Sequence, residues 1–422
     1  MIKVLFILLI VLLQLDVALA DENQVSRERI HSVRKVVDTV GKLDEKEVSI
    51  VDSFRNMFTD GKVSGQVRTQ FSLYDQKALT QVNTHATAFG GIIKYELAEF
   101  NGFNAAAAVY TSHDIPFLSG SGIHYNPELS SSKGSYTDMA EAYINYKYQD
   151  FNLKVGRQTL DTPLADSDDI RMIQNTFEAY IASYNYIGVE FMAGYIDSWQ
   201  GVDTGLDDGW VSVAKDGTNF GGISYSDGLE FNLWFYNITQ QTNALYMDIG
   251  LEYKINDDML LHLGAQYLNE TTLGNSQVAA DIYGGLFEFV FHDVGFNAVF
   301  NQSLKKANKQ SFSGTGGGAM YTSMDTMIID EIANDRDVFA YVLGISYSID
   351  YFGFIYAHGD FVGKENSAGI KAHILEHDMG FSYDVNDEFL LSAIYVISED
   401  KESDMKSQYD FDRVQLMVNY NF

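Results

Sequence analysis

From Val63 to Phe422 the chain repeats one device: apolar and polar residues alternate over a strand's length, a turn interrupts, and the alternation resumes. Successive side chains on a strand point to opposite faces, so each run carries one apolar face and one wet face. Leu229, Phe231, Leu233 and Phe235 oppose Glu230, Asn232 and Tyr236; Met259, Leu261, Leu263, Ala265 and Tyr267 oppose His262, Gly264 and Gln266. Runs of this kind predict about eighteen strands, from 63–74 to 410–422.

The connectors sort by parity. Every second one is a tight turn (Asn101-Gly102, Gln149-Asp150, Asp227-Gly228, Asn256-Asp257, His292-Asp293, Asp350, Asn386-Asp387). Those between are longer: 114–134, 160–176, 199–217, 305–336, 362–372 and 400–409. Pro116, Pro127 and Pro163, the only prolines, all fall in long connectors, where no ladder hydrogen bond is lost. Short turns at one rim and long loops at the other predict an all-β fold: a transmembrane antiparallel up-and-down barrel, of a size that encloses an aqueous channel. The mean hydropathy of −0.12 agrees with strands that are apolar on one face only.

Composition removes several function classes. There are no cysteines, hence no disulfide framework and no cysteine-ligated metal. A formal net charge of −30 argues against nucleic acid, whose binding rests on Lys and Arg. Nucleophile signatures such as Gly-x-Ser-x-Gly are missing, so no enzyme is predicted.

At the N-terminus, Lys3, the apolar run Val4–Leu15 and Ala18-Leu19-Ala20 have the layout of a signal peptide over 1–20. That run is shorter than the roughly 20 residues a spanning helix needs. Residues 21–62 change period and predict a helical pre-barrel segment in the periplasm. Ile30, Val33, Val37 and Val40 mark one amphipathic helix; Ser49 would cap a second, with Val51, Phe54 and Phe58, and Gly61 past its end. Residues 63–422 form the barrel.

In the final strand Leu416, Val418, Tyr420 and Phe422 share one parity, against Arg413, Gln415, Asn419 and Asn421. A last strand ending in Phe with Tyr two residues earlier resembles the assembly signal of bacterial outer-membrane barrels. That resemblance implies the barrel-assembly machinery and outer-membrane lipid as partners. Tyr and Phe also gather toward strand ends, as interfacial girdles require.

A wide barrel is a hole whose selectivity depends on what narrows it. The third loop, about 160–176, packs Asp161, Asp166, Asp168, Asp169 and Arg171 into one short stretch. Folded inward, it would set carboxylates and a guanidinium across a narrow aperture. Gly156-Arg157-Gln158, Thr162-Pro163, Asp169-Ile170-Arg171 and Thr176-Phe177 resemble the corresponding run of the outer-membrane porin D (Opr) family. The form resembled is that of the epsilonproteobacteria, as Phe58 followed by Gly61-Lys62-Val63-Ser64-Gly65 also suggests. The family's common Pro stands here as Gln174, and its Gly after Phe as Ala179. The resemblance implies a bacterial outer-membrane porin that passes small hydrophilic solutes by diffusion past an inward third loop and charged wall residues.

By alternation Arg68, Lys94, Lys154, Lys254 and Arg413, with Glu96, Glu141, Glu230 and Glu252, point away from the apolar face and line the lumen. Arg157 shares parity with Leu153 and Val155, and counts as a pore residue only through the resemblance. Each wall charge has a plainer role available, the solvation of a water-filled lumen. His373 and His377 share a parity but lack a third ligand, so no metal site is predicted. Asp166, Asp168 and Asp169, and separately Asp203, Asp207 and Asp208, offer oxygens of the kind calcium takes, without EF-hand spacing. A barrel binding partners or surfaces through 305–336, or a barrel enzyme, are the alternatives; solute, ion preference and monomer versus homotrimer stay open.

Overall fold

A computed structural model of the chain describes residues 45–78, 81–402 and 408–422. The expected signal peptide and the helix bearing Ile30 to Val40 lie outside them. The chain divides into two units between Thr59 and Asp60. Of the first, the structure describes helix α1 (Glu45–Thr59). Ser49 lies inside this helix rather than at its cap, because the helix-forming run Glu45-Lys46-Glu47 extends it N-terminally. Phe54 and Phe58, one turn apart, meet edge to face at 5.6 Å.

The second unit is a closed antiparallel barrel. Among the described residues eighteen strands run round it, and a two-residue strand, Val211–Ser212, pairs with Ser198 and Trp199 beside them. They are β1 (Lys62–Gln76), β2 (Thr84–Glu96), β3 (Phe103–Asp114), β4 (Ser135–Tyr148), β5 (Phe151–Gln158) and β6 (Thr176–Tyr186). Then come β7 (Val189–Gln200), β8 (Thr218–Asp227), β9 (Leu229–Ile238), β10 (Thr242–Asn256), β11 (Met259–Thr272) and β12 (Ala280–Phe291). The last six are β13 (Val294–Ser303), β14 (Val338–Ile349), β15 (Phe352–Gly363), β16 (Ala372–Asn386), β17 (Phe389–Asp400) and β18 (Phe411–Asn421). Each pairs with its neighbours in sequence, and β18 returns to β1 in the register Gln66↔Asn421 to Gln76↔Phe411. Gly65 and Phe422 exchange both backbone hydrogen bonds at 3.0 Å, which ties the last residue into the seam. Closure removes every free sheet edge.

The short turns fall at one rim, as the connector pattern predicts. Asn101-Gly102 has φ of 51° and 86°, positive at both central residues, the geometry that matches the twist of a two-residue hairpin. The same turn joins β6 to β7 through Ile187-Gly188, where Ile187 takes a φ of 51°. Nothing in the sequence marks that position, because a β-branched residue is disfavoured there.

Burial inverts the order of a soluble protein. Gln70 and Ser72 are fully buried, while on the other parity Val67, Ile93, Phe287, Leu343 and Leu416 are exposed. An apolar band of that extent is stable only in hydrocarbon. The exposed parity of β18 carries Leu416, Val418, Tyr420 and Phe422. The buried parity is covered by two connectors, 159–175 and 304–337, whose Leu160, Leu164, Met320, Met327 and Ile329 pack on Tyr236, Tyr246, Ile282 and Phe361 of the strands. This connector, whose residues 305–336 the alternative binding reading offers to a partner, is engaged within the molecule.

Candidate functional site

The site grows from two buried arginines on the strands that close the barrel. Arg68 of β1 is 4% exposed. Its two terminal nitrogens donate to the two carboxylate oxygens of Asp169 at 2.8 and 3.0 Å, and its Nε donates to Asn419 at 3.0 Å. It also donates to the Arg171 carbonyl and, at 2.9 Å, to Gln66. Arg413 of β18 is fully buried and donates to Asp325 and Gln415. Its guanidinium lies 3.5 Å from Glu128 and 5.4 Å from the centre of the Tyr74 ring. Arg171 completes the group, 2.5 Å from Glu128 and 3.9 Å from Asp325.

Three arginines thus meet three carboxylates, Glu128, Asp169 and Asp325, drawn from two strands and three connectors. Burial alone would raise the pKa of Glu128, but Arg413 and Arg171 outweigh it and hold the carboxyl below its ordinary range. Burial would lower the pKa of Arg171, and Glu128 and Asp325 raise it instead.

The 159–175 connector begins with a small hairpin, Asp161–Thr162 against Ala165–Asp166. Asp166 accepts the Asp168 amide at 2.8 Å, and Asn175 donates to Asp203 at 2.6 Å. Burial, then Asp203 and Asp166, push the Asp168 carboxyl up to about 6. At one end of the connector the Ile170 carbonyl accepts Gln415 of β18 at 3.1 Å; at the other the Leu164 amide donates to Tyr236 of β9 at 3.4 Å. Those strands stand half a turn of the barrel apart.

The 304–337 connector is held by wall acceptors aimed at its backbone. Glu376 accepts the Thr326 and Met327 amides at 2.9 and 3.3 Å, and Asp378 accepts that of Asp325 at 3.1 Å. Gln266, Asn301 and Glu270 accept Tyr321, Thr322 and Phe312 at 2.6, 2.9 and 2.9 Å. The two connectors also bond to each other, Thr315 donating to the Leu164 carbonyl at 2.9 Å.

Other residues expected in the wall fall into separate groups. Lys94 pairs with Glu141 at 2.7 Å, Tyr110 donates to Glu141 at 2.9 Å, and Gln174 donates to Tyr110 at 2.6 Å. The ammonium groups of Lys94 and Lys154 lie 5.2 and 4.8 Å from the centre of the Tyr143 ring, and Glu96 accepts Asn104 at 2.9 Å. Glu230 stands apart, 3.3 Å from His262. Glu252 and Lys254 reach the short-turn rim, where Lys254 pairs with Asp257 at 3.0 Å.

Arg157 lies apart from these groups. Its parity puts it with the exposed Met139 and Tyr180, 3.7 Å from Glu178 and 4.4 Å over the Trp210 ring, away from the arginine group. His373 and His377 do not meet: His373 lies 3.0 Å from Asp360, and His377 lies 2.9 Å from the Tyr356 hydroxyl. Among the described residues no group of three or more His, Asp or Glu is placed to hold a metal ion.

Glu128 and Asp325 escape sequence reasoning. Each is one carboxylate in a long loop, and each meets Arg413 only because the barrel closes.

Two cavities flank the connectors. One of about 420 Å³ is lined by Asp169, Asp325, Ser346, Ser382, Ser392 and Gln415, among others. The other, about 350 Å³, is lined by Asp161, Asp166, Glu190, Asn232 and Trp234 among others.

An eighteen-stranded closed antiparallel barrel is the fold of known porin structures. The chain is similar to OccAB3 of Acinetobacter baumannii, with a TM-score of 0.73 at 13% identity, covering 86% of this chain and 99% of that one. It is similar also to OpdK of Pseudomonas aeruginosa, solved with vanillate, with a TM-score of 0.72 at 17% identity over 86% and 99%. A BenF-like porin from Pseudomonas fluorescens Pf-5 gives 0.73 at 12% identity over the same shares. No family model matches the sequence. No curated protein matches it either.

Proposed function

We propose that this protein is a porin of the bacterial outer membrane, a passive channel for small hydrophilic solutes and ions, and not an enzyme. The observation that carries the reading is the 159–175 connector, bonded to β18 at Ile170 and to β9 at Leu164. A segment so anchored folds into the lumen and narrows it, with 304–337 filling more of the section. Asp161, Asp166, Asp168, Asp169 and Arg171 form the constriction, together with Arg68, Arg413, Glu128 and Asp325. Lys94, Glu96, Glu141, Lys154 and Glu230 line the approaches. The exposed apolar band supports insertion in lipid, and Leu416 to Phe422 serve as the assembly signal. The residue pattern around 156–177 supports the porin D family in its epsilonproteobacterial form.

Liposome swelling tests this directly. Vesicles carrying the refolded protein admit small sugars and amino acids at rates that fall steeply with solute size. Vesicles that remain impermeable despite inserted, folded barrel would overturn the reading.

A further inference from the structure

The charges of the constriction are disposed unequally by sign. Arg68 and Arg413 are buried, the Arg171 side chain is 9% exposed, and each guanidinium is met by carboxylates. Their positive charge is spent inside the structure. The Asp169 side chain remains 42% exposed even while bonded to Arg68, and Asp161 is exposed as well.

The two cavities repeat this asymmetry. Every charged residue lining the larger one is acidic, Asp169 and Asp325; every charged residue lining the smaller is acidic too, Asp161, Asp166 and Glu190. Lys94 and Lys154 line neither: Lys94 is bound to Glu141, and Lys154 lies over Tyr143. Fixed charge in a water-filled gap with low-dielectric walls concentrates ions of opposite sign, and it acts over about 10 Å at 0.1 M salt. A solute anion finds no unpaired guanidinium in either space and must displace Glu128, Asp169 or Asp325 to reach one. A cation finds carboxylates along both.

We infer that the channel prefers cations to anions, and organic solutes bearing an ammonium or guanidinium group to those bearing only a carboxylate, with Asp161, Asp166, Asp169 and Glu190 setting the preference. This rests on the channel reading above. Glu128 and Asp325 act indirectly, as internal ligands that keep Arg171 and Arg413 from recruiting anions.

The test is the reversal potential of the full mature chain in a planar bilayer under a KCl gradient. The expected sign is that of potassium, with a potassium-to-chloride permeability ratio several-fold above unity. Replacing Asp161→Asn, Asp166→Asn and Glu190→Gln together lowers the ratio several-fold, and Glu128→Gln lowers it by freeing guanidinium charge. Folding of each variant is read from heat-modifiable gel migration; should the triple variant fail to fold, Glu190→Gln alone must shift the ratio the same way. A chloride-signed potential in the unaltered protein, or a ratio that no folded variant moves, overturns the inference while leaving the channel intact. Absence of current from folded, inserted protein overturns the channel reading itself, and the inference with it.

Discussion

Arg68 and Asp169 lie 101 residues apart and form a two-pronged ion pair, one nitrogen to each carboxylate oxygen. Planar guanidinium and carboxylate match best in this arrangement, which fixes direction as well as distance. It fastens the 159–175 connector to the strand that closes the barrel. The hold of this connector on β1 rests on this pair, with the Arg171–Glu128 pair beside it.

Arg68→Ala should loosen the connector. Removing one partner of a buried pair costs about 3–5 kcal/mol; with Asp169 partly in solvent, on the order of 2 kcal/mol is expected here. Single-channel recordings should show noisier current and a larger mean step than the unaltered protein. Unchanged noise and step size would remove Arg68 from the constriction.

The Asp168 carboxyl, pushed up to about 6 by burial and by Asp203 and Asp166, is charged at pH 7 and largely neutral at pH 5. Acidification across that window removes a negative charge from the connector, so cation preference should fall. In Asp168→Asn the preference at pH 7 is already lowered, and the component of its pH dependence centred near 6 disappears. Reversal potentials across the pH series decide it.

Glu376→Ala removes the acceptor of the Thr326 and Met327 amides and of the Thr326 hydroxyl. Each donor left buried and unmet costs about 1–3 kcal/mol, enough to release this part of the 304–337 connector. Limited proteolysis should cut the variant within 304–337 while the unaltered protein resists. Equal resistance would show that the remaining anchors suffice.

Ile187 offers a change remote from the pore. It is 81% exposed in a conformation that disfavours a branched side chain. Ile187→Gly relieves about 1–2 kcal/mol of left-handed strain, partly offset by chain entropy. Unfolding in urea should shift to slightly higher concentration with conductance unchanged. A destabilised variant would mean that Ile187 packs against something the turn geometry does not reveal.

Alternation, connector parity and turn chemistry make the barrel legible, because all three are local and recur along the whole chain from Val63. Arg68, Asp169 and Arg171 were legible as charges at the right parity or in the right loop. Their partners were not. Arg413 meets Glu128 across 285 residues and Asp325 across 88, and no local pattern encodes which of many loop carboxylates closure will bring near. The anchoring of 304–337 has no sequence signature, because the groups held by Glu376 and Asp378 are backbone amides, which every sequence possesses. At Arg157 the strand parity and the family pattern point to opposite faces, and its partners Glu178 and Trp210 lie apart from the arginine group.

Single-channel conductance decides whether a water-filled barrel is narrowed by the 159–175 connector. The purified protein is compared in planar bilayers with a variant whose residues 160–174 are replaced by a short Gly-Ser link. Discrete steps are expected from the unaltered protein, and clearly larger steps from the variant. Folded barrels that insert and give no steps, or steps that the shortened connector leaves unchanged, would contradict that reading.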